Sequence, residues 1–250
     1  MGEPTLIVAT VAILCFGIFV QSAAGFAAGL LMIPLLQWIG YSVPSAMIML
    51  LVATIPQNIV GVFELRRHID PQSLAWPAIG RLSFLPIGMW MLSGLSDWPP
   101  QLMKQIVGCF VLAATASFCF LKPSKRQSIH PIWAWIAFPL SGWLQGIVGM
   151  GGPPLVLWVQ SHDWSTQQSR GFLFAMYLIS LVPATVCLWI TFGSSVFAAA
   201  PLAVLTIPLL WPVTRLGIWA GSLLGQSRLR KLSLAMLFAI GVAGVLGPML

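Results

Sequence analysis

The sequence predicts an all-α membrane protein, polytopic and helical, built as two inverted-topology repeats that each contain a broken or re-entrant helix. Three observations predict it. Of the 250 residues, 58% are hydrophobic and 7% are charged, with a mean hydropathy of +0.94, whereas a soluble domain carries about 25% charged residues. Several apolar runs reach the ~20 residues that cross a bilayer. Each half also holds an apolar segment interrupted by glycines: Gln21 to Gly29, followed by Pro34, and Gln145 to Pro154. An unpaired backbone group in lipid costs several kcal/mol, so a broken helix persists only where it is buried in protein or lines a cavity. A matched pair of breaks in two halves points to a membrane binding site.

Taken in order, the spans read as 5–23, a short 26–40, 44–63, 74–95, 102–121, 131–146, a short 149–160, 171–193, 197–221 and 232–249. The first is no cleavable signal peptide, because Met1 to Pro4 lacks a basic region and the apolar run is too long. Tyr41 to Pro44, Ser96 to Pro100 and Ser161 to Trp164 are turn-like separators. Trp76, Trp98, Trp133, Trp135 and Trp164 fall near span ends, where indole rings suit the membrane interface.

Basic clusters set the topology. They are Arg66/Arg67/His68, Lys122/Lys125/Arg126 and Arg228/Arg230/Lys231, and the positive-inside tendency places all three in the cytoplasm. Two spans separate the first pair of clusters, so parity holds there. Between the second and third clusters parity requires 131–160 to enter and return as a hairpin or to cross twice as two short helices. The same logic for 5–40 puts both termini outside. Each half then has an odd number of crossings, which is the inverted-repeat arrangement. The division predicted is 1–125 and 126–250 within one integral membrane domain. At an offset of 124 positions Gln21 matches Gln145, Gly25 matches Gly149 and Leu31 matches Leu155, and Gly88-Met89-Trp90 echoes Gly217-Ile218-Trp219 at a slightly larger offset.

Other classes fit poorly. The net charge of +7 sits mostly in the three topology clusters, so no nucleic-acid partner is expected. Cys15, Cys109, Cys119 and Cys187 lack metal or disulfide spacing and read as small buried apolar residues. Neither a metal nor another cofactor is expected. Glu3, Glu64, Asp70, Asp97, Asp163, His68, His130 and His162 fall in loops or at span ends, which disfavours a proton relay in the membrane. Neither HExxH nor GxSxG is present, so an enzyme is not expected. A non-transporting membrane scaffold is the alternative, and it leaves the paired backbone breaks unexplained.

The expected chemistry is anion binding. Glycine lets the backbone turn and expose its N–H groups, and the start of a helix presents unpaired N–H groups at a positive dipole end. Gly149, Gly151, Gly152 and Pro153 form the stronger candidate, with Gly25 and Gly29 as counterparts. Gln21 and Gln145 lie one turn before their glycines. Gln57 and Asn58 follow Pro56, which frees a carbonyl in the 44–63 span. Arg81 and Arg215 lie within spans, where a charge is expensive and therefore a candidate for function. Both lie nearer the cytoplasmic ends, from which arginine can snorkel. Arg170 reads as an orientation signal.

Gly146-Ile147-Val148-Gly149-Met150-Gly151-Gly152-Pro153-Pro154 resembles the glycine-rich signature of the TauE/SafE sulfite exporter family. The first half resembles a degenerate copy, retaining Gly25, Gly29 and Pro34 with Ser22, Ala27 and Ala28 at usual glycine positions. Asn58 to Asp70 resembles the family's exit into its first cytoplasmic loop. The resemblance covers nearly the whole chain. It implies a bacterial inner-membrane transporter of small anions such as sulfite, organosulfonates or carboxylates. Alternating access around the two breaks is the mechanism expected.

Overall fold

The computed structural model describes residues 2–95, 97–121, 129–224 and 226–247. Among these residues the chain forms ten α-helices and no strand: α1 (Glu3–Ala24), α2 (Ala28–Trp38), α3 (Val43–Leu65), α4 (Pro71–Leu95), α5 (Pro100–Phe120), α6 (Pro131–Val148), α7 (Gly152–Gln160), α8 (Thr166–Phe192), α9 (Ala200–Leu224) and α10 (Gln226–Leu246). Ser96, the Lys122/Lys125/Arg126 cluster and the end of the 232–249 span lie outside the described residues.

Local chemistry explains the boundaries. Proline stands in the first turn of α1, α3, α5, α6 and α7, where its missing N–H costs nothing. Ser42 starts α3 by accepting from the Ser45 N–H. The helix expected over 171–193 starts earlier, because Ser165 and Gln168 form a reciprocal capping box. Hydropathy cannot register this polar first turn. A 3₁₀ turn over Ser194–Ala199 delays the start of α9 relative to the 197 expected.

Six helices are long and apolar enough to cross a membrane, α1, α3, α4, α5, α8 and α9 among them with their flanking turns. By contrast α2 and α7, with 11 and 9 residues, span only about 16 and 14 Å at 1.5 Å per residue. The outer surface is apolar, with Trp90, Phe120, Ile190 and Leu205 well exposed, as expected of side chains that meet lipid. The cysteines correct one expectation. They are free, but Cys109 and Cys119 are exposed and Cys15 and Cys187 are half-buried. A thiol is apolar enough to face hydrocarbon, so burial in protein is not required of it.

Helix packing pairs the two halves. α4 packs most extensively on α6, α1 on α9, α5 on α10 and α3 on α8. Matching α1–α5 in order with α6–α10 exchanges the first two pairs and maps each of the others onto itself. Glycine contacts repeat the pattern residue by residue. A Cβ on Gly88 would meet the backbone of Trp143, Gly146 and Ile147, whereas one on Gly217 would meet Phe19, Ser22 and Ala23. The partner positions 143, 146 and 147 minus 124 are 19, 22 and 23. The faint sequence echo thus corresponds to equivalent packing.

Candidate functional site

α1 stops at Gly25, whose φ of +84° suits glycine in the left-handed region. Its N–H bonds to the Gln21 carbonyl at 2.7 Å. After Phe26, Ala27 also adopts a left-handed conformation, with φ of +92°, which a Cβ disfavours by roughly 1–2 kcal/mol. α2 then begins with no side-chain cap. The Leu31 N–H reaches the Ala27 carbonyl at 3.0 Å, so the N–H groups of Ala28, Gly29 and Leu30 precede the first intrahelical bond and are unpaired.

The second break is built differently. Gly149 ends α6 at φ of +69°, and the N–H groups of Gly149 and Met150 bond back to the Gln145 and Leu144 carbonyls at 3.1 and 3.2 Å. Pro153 and Pro154 occupy the second and third positions of α7 and carry no N–H, which leaves Gly152 as the donor among the first three positions. The Gly151 N–H is taken by Gln145 Oε1 at 3.3 Å.

Arg81 of α4 organises this second break. It is 1% exposed. Its Nε donates to Ser180 Oγ at 2.8 Å, Nη1 donates to Ser141 Oγ and to the Gly151 carbonyl, the latter at 3.4 Å, and Nη2 donates to Gln145 Oε1 at 3.4 Å. Ser141 also donates to the Gly151 carbonyl. The Tyr177 ring lies 5.7 Å from the guanidinium carbon. Four of the five guanidinium N–H groups are therefore held by neutral protein groups. None of the five acidic side chains is buried: Glu3, Glu64, Asp70, Asp97 and Asp163 are all exposed.

The breaks touch. A Cβ on Gly29 would lie 2.9 Å from the Gly149 carbonyl oxygen. Between them is a cavity of about 60 Å³. At roughly 10–15 Å³ per water position, it holds a few waters or one small polyatomic anion. Of the residues expected from sequence, Gln21, Gly29, Asn58, Arg81, Gln145, Gly149, Gly151, Gly152 and Pro153 line it. Asn58 is 1% exposed, and its Oδ1 is buried without a partner.

Two expected residues stand off the lining. Gly25 shapes the turn, with Arg170 Nε 3.8 Å from where its Cβ would be. Gln57 instead donates through Nε2 to Ser22 Oγ at 2.9 Å, tying α3 to the end of α1. Arg170 also does more than orient the chain: its Nη2 donates to the Ser22 carbonyl at 2.9 Å, capping the last turn of α1 with a cation. Arg215 is exposed and lies 5.9 Å from the Trp211 ring, away from the cavity. The sequence reading missed Ser141, which holds Arg81, and the lining residues Thr54, Phe118, Tyr177 and Ser180. Small hydroxyls in apolar helices carry no motif, and their role appears only once Arg81 is placed.

Comparison with known proteins gives one consistent result. The model of the family described as Sulfite exporter TauE/SafE matches residues 9–244. The chain is also similar to a protein of Cupriavidus necator named probable sulfite/organosulfonate exporter TauE, with 23% identity over 235 residues, covering 93% of this chain and 91% of that one. No solved structure matches.

Proposed function

This chain belongs to the sulfite exporter TauE/SafE family, and on that premise we propose that it carries small anions across the membrane by binding them between its two helix breaks. Arg81 is the observation that carries the reading. A buried arginine inside a spanning helix is costly unless its charge is used, and here every protein partner is neutral. An anion in the cavity completes the site. The unpaired N–H groups of Ala28, Gly29 and Leu30 favour the same charge sign. Gln21, which lines the same cavity, adds an amide donor to the bound anion.

Transport proceeds by alternating access. The exchange of packing pairs between α1–α5 and α6–α10 supports two inverted repeats, approximately 1–125 and 126–250, that move around the touching breaks. Both termini lie outside the cell membrane's cytoplasmic face. The exposed Arg66 to His68 turn and the start of α8 share one end of the bundle, where Gly171 meets Leu65 and Ile69, which supports a common cytoplasmic level for the two. Sulfite and short organosulfonates are the proposed cargo, with carboxylates as weaker candidates.

The test is flux into proteoliposomes of sulfite, methanesulfonate and acetate, using wild-type protein and a folded Gly29→Leu variant. Sulfite or methanesulfonate flux that the variant loses supports the proposal. Absence of flux for all three anions from folded wild-type protein would leave the membrane scaffold as the better reading.

A further inference from the structure

We infer that the cargo occupies the cavity as a monoanion, and that dianions of the same shape are selected against. This rests on the anion-transport reading and adds the charge of the substrate to it. Arg81 is the one formally charged side chain among the described residues that line the cavity. Arg170 is engaged with the Ser22 carbonyl outside the lining. Helix α4 carries no other ionisable residue, and α6 and α7 carry none. From α8, Tyr177 is the titratable group that faces Arg81.

Dipole charges do not change the count. The positive N-terminal ends of α2 and α7 lie at the same breaks as the negative C-terminal ends of α1 and α6, so their partial charges oppose one another. A monoanion therefore brings the loaded site to neutrality. A dianion leaves one negative charge in a space with room for only a few waters. Burying an unpaired charge is strongly unfavourable. Four of the guanidinium donors are already engaged, so Arg81 acts chiefly as a fixed charge.

Methanesulfonate and sulfate make the sharpest pair, being tetrahedral and similar in size but differing by one charge. Thermal stabilisation of the full chain in lipid nanodiscs should require on the order of a hundredfold more sulfate than methanesulfonate. Sulfite provides a test within one compound, because it passes from monoanion to dianion around neutral pH. Its apparent Kd should rise about tenfold per pH unit once the dianion dominates, while that of methanesulfonate stays level. A folded Arg81→Lys variant should keep the order of preference, and Arg81→Gln should bind both anions at least about a hundredfold more weakly. Sulfate binding as tight as methanesulfonate, or sulfite binding that strengthens with pH, overturns the inference and leaves anion transport standing. Loss of the order in folded Arg81→Lys would assign discrimination to guanidinium bonding, against the inference. If folded wild-type protein binds none of these anions, the transport reading fails and the inference with it.

Discussion

The two helix breaks occupy equivalent places yet are held in opposite ways. At the second, Arg81, Ser141 and Gln145 all converge on Gly151, through its carbonyl or its N–H, and proline fills two of the first three positions of α7. That break is tied down and supplies charge, but it offers few free N–H groups. At the first, Ala27 adopts a left-handed backbone conformation, the start of α2 is uncapped, and Arg170 reaches from the other half to steady α1. That break leaves more N–H groups open, and on the proposed reading it supplies the donors. The break with the better glycine motif is therefore not the one with more open backbone. On the proposed reading, the two breaks divide one binding task between them.

The comparison can be broken most severely at Arg81. Arg81→Gln should reduce sulfite flux by at least about a hundredfold, since it removes both the cavity charge and the bonds to the second turn. Flux measurements on protein that elutes as a folded species decide this, and near-normal flux would end the idea that the second break supplies charge. Next in size is the contact between the breaks. Gly29→Val should destabilise by about 1–3 kcal/mol through overpacking against the Gly149 carbonyl, read as a lower Tm. A Tm equal to wild type would show that the breaks do not press on each other.

Smaller changes sharpen the contrast at the first break. Arg170→Gln should cost about 1 kcal/mol by uncapping α1 while methanesulfonate affinity stays within a few-fold. A large affinity loss would instead make Arg170 part of the site. Ala27→Gly should raise stability by roughly 1 kcal/mol as the left-handed strain is relieved. A fall in Tm at this position would mean the methyl group contributes packing that outweighs the strain.

Much of this was legible in the sequence because it depends on backbone chemistry. Gly25, Gly149 and the proline positions located the breaks to within a residue or two, and a lone arginine in an apolar span marked Arg81. The echo of Gly88-Met89-Trp90 in Gly217-Ile218-Trp219, at an offset slightly larger than 124, anticipated the equivalent packing of Gly88 and Gly217. Rotation about each helix axis was not legible. Nearly every face of these helices is apolar, so hydrophobic periodicity cannot say which residues point inward. That is why Gln57 was expected beside the cargo and is found bonded to Ser22, why the cysteines were expected inside, and why Ser180, 99 positions from Arg81, was overlooked. The left-handed Ala27 escaped notice as well, because alanine gives no sign of a positive φ.

The exposed placement of every carboxylate has an energetic consequence at the scale of the cell. With no acidic group inside the bundle to carry protons alongside the cargo, a transported monoanion responds to voltage. Moving one negative charge outward across an inside-negative membrane releases about 2.3 kcal/mol per 100 mV. That work corresponds to roughly a fiftyfold concentration ratio, so on the proposed reading the resting potential alone would hold the monoanion dilute inside the cell.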